Sequence, residues 1–207
     1  MPKPRKKIKL TWAELRQQRS ALERFETYLP LLRLRQQLLQ SAILEVEKEY
    51  QATKGTFDAF DTKISTYSAV FNDTSGVDTE ALSEPEDIRT GLTSIAGVKV
   101  PEFLSAVFPK AEYSLFATAP WADQALSDQR AKKLSRLQLG ILETKLSVLR
   151  AELKKVVQLV NLFEKIIIPE SKENIRRIRI ALSDRMTAAV VRAKIAKEKT
   201  QERKKES

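Results

Sequence analysis

Two absences limit the chemistry that this chain can perform. Its 207 residues include no cysteine and no histidine. A disulfide, a thiolate nucleophile, a Ser-His-Asp triad and haem ligation are therefore excluded, and an ordinary zinc site lacks its usual ligands. Carboxylates and amines remain as the groups that could carry a function.

Two segments contain the ingredients of known sites in arrangements that do not form them. Glu45, Glu47 and Glu49 alternate along the chain, which places them on different faces of a helix rather than around one metal ion. Lys54 precedes Gly55, whereas a phosphate-binding loop needs its lysine after the second glycine. We interpret both segments as parts of a solvated helix surface, and we expect no catalytic residue, no metal and no cofactor.

Basic side chains are the more substantial candidates. The chain has 37 Lys and Arg against 27 Asp and Glu, for a net charge of +10. Eight of the basic residues lie in one stretch near the carboxyl terminus: Arg176, Arg177, Arg179, Arg185, Arg192, Lys194, Lys197 and Lys199. They fit the charged exterior of a coiled coil, a contact with an acidic protein surface or, least well, nucleic acid, because no aromatic platform lies among them.

Hydrophobic periodicity predicts the elements that position these residues. Thr11 and Glu14 have the spacing of a capping box, and Leu10 and Leu15 that of a hydrophobic staple. From Leu15 the apolar residues then recur in steps of three and four, which is typical of a coiled coil. This first seam comprises Leu15, Gln18, Leu22, Phe25, Leu29, Leu32, Gln36, Leu39, Ile43, Val46, Tyr50, Thr53, Phe57, Phe60, Ile64, Tyr67 and Phe71. Pro30 is expected to kink this helix or to remove one of its hydrogen bonds.

A second seam follows the same rule in the carboxyl-terminal part. It comprises Leu139, Leu142, Leu146, Leu149, Leu153, Val156, Val160, Phe163 and Ile167. Near Pro169 its phase slips by four-residue steps of the stutter type. It resumes at Ile175, Ile178, Leu182, Met186, Ala189, Ala193 and Ala196. The shrinking residues predict that the two helices approach closely and taper towards this end.

Each seam would span about 85 Å at 1.5 Å per residue, and equal lengths predict antiparallel pairing. Between the seams, Ser83 to Gly91 has the pattern of a short capped helix, and the residues around Gly97 that of a strand or hairpin stopping at Pro101. The predicted fold is all-α: a long antiparallel two-helix coiled coil with a small central α/β knob. The predicted segments are a basic tail (1–10), the first coiled-coil helix (11–71), the knob (72–119), the second coiled-coil helix (120–199) and a charged tail (200–207).

The residues around the phase slip also carry a family resemblance. Residues 160–169, with Val160-Asn161, Glu164, an apolar run and Pro169, resemble the D subunit of the vacuolar/archaeal-type rotary ATPases. Further positions at the family's spacing are Ile175, Arg176, Ile178, Leu182, Thr11, Leu15, Arg19, Leu22, Leu31, Leu32, Arg33, Arg35, Leu39, Val98, Lys99, Val100, Pro101, Phe108 and Pro109. Tyr28 in place of the family's glycine and the added Pro30 are typical of a divergent bacterial member.

The resemblance implies a non-catalytic central-stalk rotor shaft. Such a shaft couples ATP synthesis or hydrolysis in the ring of A and B subunits to rotation of the membrane proteolipid ring and to proton or sodium transport. The end formed by both termini would enter the ring, and the knob would join the proteolipid ring through the adapter C subunit (d in eukaryotes), with the small F subunit alongside. The resemblance also implies a cytoplasmic location, peripheral on the inner face of the cell membrane. No apolar run exceeds the four residues 188–191, so no segment is expected to span a bilayer.

Seven residues are the predicted partner contacts. Arg176, Arg177 and Arg179 are expected to face the ring, Arg192 to be a further partner contact, and Val98, Val100 and Pro101 to form the knob contact. A different class remains open, namely the coiled-coil stalk protein of a type III secretion ATPase. A coiled-coil scaffold that binds nucleic acid is the more remote alternative.

Overall fold

The computed structural model describes residues 8–67, 80–110 and 121–205. Helix α1 runs over Trp12–Tyr67, a single 3-10 turn over Ala81–Ser83, strand β1 over Asp87–Ile95 and strand β2 over Val98–Val107. Helix α2 (Ala122–Leu162), a π-helical turn (Phe163–Ile167) and helix α3 (Ile168–Lys205) follow without a gap. The chain forms two compact units: a terminal unit of Met1–Leu34 with Val157–Ser207, and a central unit of Arg35–Val156.

Helix α1 begins where its capping residues predict. The hydroxyl oxygen of Thr11 accepts the Glu14 N–H at 3.3 Å, and the Thr11 carbonyl accepts the Leu15 N–H at 3.0 Å. Leu10 packs against the cluster that contains Leu15, as a hydrophobic staple requires. Pro30 lies inside the helix, which continues past it, so the missing proline N–H does not end α1.

The seams hold α1 against the later helices within each unit. In the terminal unit, Leu15 packs with Ile175, Ile178 and Leu182. In the central unit, the buried seam side chains are Leu39, Ile43, Val46, Leu142, Leu146, Leu149 and Val156. Every position of the first seam from Leu15 to Ile64, and of the second from Leu139 to Ile167, is buried or half-buried. The predicted coiled-coil packing is confirmed over these stretches.

Ion pairs across the two helices have an antiparallel order. In the terminal unit Glu26 pairs with Lys172 at 2.9 Å and Arg33 with Glu164 at 2.9 Å. In the central unit Arg35 pairs with Glu152 at 3.0 Å and Glu47 with Arg150 at 2.6 Å. Such partly exposed pairs each contribute about 0 to 1 kcal/mol, so they fix the register more than they stabilise the fold.

The predicted phase slip coincides with the π-helical turn. The Ile168 N–H donates to the Phe163 carbonyl five residues earlier, which inserts one extra residue into the helix immediately before Pro169. Phe163 also makes an edge-on contact with Phe25, with ring centroids 5.5 Å apart. The turn shifts the apolar stripe so that Ile175 and Ile178 again face α1.

The prediction for the end of the second seam is wrong. Met186, Ala189, Ala193 and Ala196 are exposed, as is every residue from 183 to 201. The Arg185 guanidinium donates to the Leu10 carbonyl at 2.8 Å, level with the start of α1. Residues beyond this point have no turn of α1 opposite them, and the apolar period alone could not reveal that.

The middle of the chain forms a two-stranded hairpin. Antiparallel pairing runs from Asp87 opposite Val107 to Ile95 opposite Val98, with a bulge between Arg89 and Thr90. Ala96 and Gly97 have φ of 50° and 77°, as a type I′ turn requires. The predicted hairpin around Gly97 is confirmed.

Two local predictions in this region are wrong. No helix forms over Ser83 to Gly91: a 3-10 turn ends at Ser83 and β1 begins at Asp87. The Ser83 hydroxyl donates back to the Glu80 carbonyl at 2.8 Å and so belongs to the preceding turn. Strand β2 continues through Pro101 to Val107. A proline N–H is dispensable there, because each strand of a two-stranded ribbon has an open edge.

Within the part of the chain that the structure describes, no helix is long and apolar enough to cross a membrane.

The seam predicts a sharp difference between two neighbouring leucines. Leu39 is fully buried and Leu38 is 51% exposed. We expect Leu39→Ala to lower the free energy of unfolding by about 3 to 5 kcal/mol through a core cavity, and Leu38→Ala to change it by less than about 0.5 kcal/mol. Urea unfolding followed by circular dichroism measures both. Equal effects of the two substitutions would contradict the assigned seam.

Candidate partner-contact surfaces

The described residues contain no group of three or more acidic side chains placed to hold a metal ion. The Glu47 carboxylate forms an ion pair with the Arg150 guanidinium at 2.6 Å, and Glu45 and Glu49 are exposed. Lys54 and Gly55 lie within α1 rather than in a loop. Both segments are therefore part of the α1 surface, as their spacing predicts.

The predicted arginines on α3 are organised by a carboxylate that the sequence analysis did not select. Glu173 accepts hydrogen bonds from Arg176 at 2.8 and 2.9 Å and from Arg177 at 3.0 Å. These bonds, led by that of Arg176, lower the pKa of Glu173 to about 2 and raise the pKa of Arg176. The sequence signal for this cluster is spacing: Arg176 and Arg177 follow Glu173 by three and four residues, which places all three on one side of a helix.

Arg179 and Arg192 have different surroundings. Arg179 is exposed and borders a groove of the terminal unit whose floor includes Leu22 and Ile175. The Arg192 Nε donates to the Ala188 carbonyl of its own helix at 3.2 Å. Arg176, Arg177 and Arg179 are thus neighbours on α3, and Arg192 lies several turns beyond them.

The exposed carboxyl-terminal part of α3 carries large apolar side chains as well as basic ones. Met186 and Val190 are each 58% exposed, and Val191 and Ile195 are about half exposed. Exposed large apolar side chains interspersed with basic residues are typical of a protein contact. Met186 lies on the predicted seam, but hydrophobic periodicity alone does not show where the partner helix begins.

The three predicted contact residues of the hairpin differ in how deeply they are buried. Val100 is fully buried, whereas Val98 and Pro101 are half-buried. Pro101 lines a groove together with Thr53 of α1 and Ile141 of α2. Pro101 therefore lies beside the chain's own helices, and Val100 is too deeply buried to be a surface contact.

Two exposed apolar residues of the hairpin, Leu92 and Leu104, are not among the predicted contacts. Leu92 is 75% exposed and Leu104 is 62% exposed. A Cβ at Gly91 would lie 3.3 Å from Leu104, so glycine leaves the space in which Leu104 lies across β1. Strand alternation could not have found Leu104, because Leu104 and the fully buried Val100 have the same parity along β2 and the register shifts at Leu104.

Antiparallel helices joined by an apolar seam, with a small hairpin in the middle of the chain, define a coiled-coil protein. Comparison with known proteins narrows the class. A sequence model that describes the D subunit of ATP synthase matches residues 14–198. The chain therefore belongs to the D-subunit family of ATP synthases.

Individual relatives agree with the family match along nearly the whole chain. The D subunit of a V-type ATP synthase from Borreliella burgdorferi is 34% identical over 92% of this chain and 94% of its own length. The corresponding protein of Chlamydia felis is 35% identical over 97% of each chain, and that of Chlamydia pneumoniae is 33% identical over 95% of each. The resemblance carried by residues 160–169 is confirmed, and it places the chain among the stalk subunits of V/A-type ATPases.

The arginine and glutamate cluster predicts a pH dependence. The Glu173 pKa is about 2, below its ordinary 4.5, so its ion pairs stabilise the fold above pH 4.5 and this contribution is lost as the pH falls towards 2. We expect the double variant R176Q/R177Q to raise this pKa towards 4.5, as measured by NMR titration of the carboxyl carbon. The matched control R179Q should leave the pKa unchanged. A wild-type midpoint near 4.5 would refute the cluster.

Proposed function

We propose that this chain is the rotor shaft in the central stalk of a V/A-type ATPase. It couples ATP synthesis or hydrolysis in the ring of A and B subunits to rotation of the proteolipid ring, and so to proton or sodium transport. The observation that carries the proposal is the seam, which joins two helices without adding a catalytic group. Membership of the D-subunit family supports it.

Transmission of torque needs a stiff element rather than a reactive one. Buried knobs such as Leu39, Leu149 and Ile178 resist separation of the helices, because parting them would expose apolar surface to water. The ion pairs Arg33–Glu164 and Arg35–Glu152 oppose sliding of one helix along the other. The shaft is therefore a non-catalytic part of the complex in this proposal.

The terminal end of the shaft would contact the ring. The exposed Arg179 and Arg192 offer positive charge, and Met186, Val190 and Ile195 offer apolar contact. Arg176 and Arg177 would take part with Glu173 as one cluster. Because a pair of helices has no threefold symmetry, it cannot meet three interfaces of a ring alike, and each rotation step would change which catalytic site is closed.

The hairpin end would face the membrane. In this proposal Val98, Pro101 and the more exposed Leu92 and Leu104 contact the adapter, the C or d subunit, which joins the shaft to the proteolipid ring, and the F subunit binds alongside. Val100 supports this contact from inside because it is fully buried. The complex would hold the chain on the cytoplasmic side, peripheral to the inner face of the cell membrane.

The proposal predicts a coupling defect from charge reversal on α3. We expect R179E and the triple variant R176E/R177E/R179E to reduce ATP-driven ion transport by the reconstituted complex several-fold, because each reversal places a carboxylate against the ring. The helix content of the isolated chain should not change. The control K154E alters an exposed residue of α2 in the central unit and should leave transport intact.

Two results would count against this function. One is undiminished transport by the triple variant. The other is co-purification of the tagged chain with secretion-ATPase components, or salt-sensitive binding to DNA, in place of the A and B subunits and the adapter.

A further inference from the structure

Within the central unit, one short stretch of α2 contacts both α1 and the segments that flank the hairpin. Lys132 pairs with Asp61 of α1 at 2.5 Å and lies 5.9 Å from the ring centroid of Phe57. Asp128, which is only 3% exposed, pairs with Lys63 of α1 at 2.8 Å. The stretch from Asp128 to Lys133 is thus fixed to α1 by two separate ion pairs.

Arg130, in the same stretch, is directed towards the hairpin. Its Nε and one terminal nitrogen donate to the Leu82 carbonyl, both at 3.1 Å, and that nitrogen also donates to the Pro109 carbonyl at 2.5 Å. Its guanidinium carbon lies 5.5 Å from the ring centroid of Phe108. One side chain therefore binds the chain just before β1 and just after β2.

The hairpin needs such an anchor, because two strands alone are marginally stable in water. Its base is closed by the Glu86 N–H, which donates to the Val107 carbonyl at 2.8 Å, close in sequence to both carbonyls that Arg130 binds. Lys133 adds an ion pair to Glu84. Leu82 and Pro109 present backbone oxygens that a planar guanidinium can bind together, whereas an ammonium is a single point of charge.

We propose that Arg130 is the positioning residue that couples the hairpin to the two helices of the shaft. It clamps both ends of the hairpin to a stretch of α2 that is itself fixed to α1, so that a torque on the helices turns the hairpin with them. This inference rests on the proposed rotor function and adds to it the residue through which the hairpin follows the shaft.

Hydrogen exchange on the isolated full chain tests the clamp directly. We expect R130M to speed exchange of amides in residues 80–110 by about 10- to 100-fold, the loss of charge-assisted hydrogen bonds, with unchanged exchange along α1. R130K should give an intermediate effect, because it keeps the charge without the fork. The control R136M replaces an exposed arginine of the same helix and should change nothing. Unchanged exchange in both Arg130 variants overturns the proposal.

Coupling in the reconstituted complex tests the role of the clamp in transmission. We expect R130M to lower the number of ions transported per ATP hydrolysed at least two-fold, with partial rescue in R130K and a wild-type ratio in R136M. Faster hairpin exchange with a wild-type ratio would overturn the transmitting role. If the wild-type chain itself fails to assemble with the ring, the rotor function fails, while the exchange measurement still judges the clamp.

Discussion

The structure depends on one apolar seam between antiparallel helices. A two-helix coil has few layers, so a seam residue is shielded mainly by the helix opposite and by its neighbours along the same helix. Full burial is reached at few positions, among them Leu39, Leu149 and Ile178. The seam must therefore keep its register over many turns, and the ion pairs along its edges specify that register rather than supply most of the stability.

Keeping the register past a proline requires a change of helical geometry. The π-helical turn at Phe163–Ile167 supplies the extra residue immediately before Pro169, and Ile175 and Ile178 then return to the seam. Beyond Leu182 the seam ends because α3 has passed the first turn of α1. The exposure of residues 183–201 of α3 is a consequence of unequal helix ends, and this stretch carries both basic and apolar side chains.

The predictable features are local ones. The coiled-coil period, the Thr11 cap, the phase slip and the turn at Gly97 can all be read from neighbouring residues. Sequence could not show that the Ser83 hydroxyl bonds backwards or that Met186 has no helix opposite it, since both depend on packing. Arg130 was missed for the same reason, because it joins carbonyls 48 and 21 residues away. Partner contacts are harder still, because half of each contact lies on another chain.

The lack of cysteine in this chain permits a direct test of the proposed rotation. A single cysteine introduced at Ser94, an exposed residue of β1, would carry a bead while the A and B ring is fixed to a surface. Rotation in one direction that starts with ATP and stops when ATP is removed is the predicted result. A bead that stays still while the same complexes hydrolyse ATP would contradict the account.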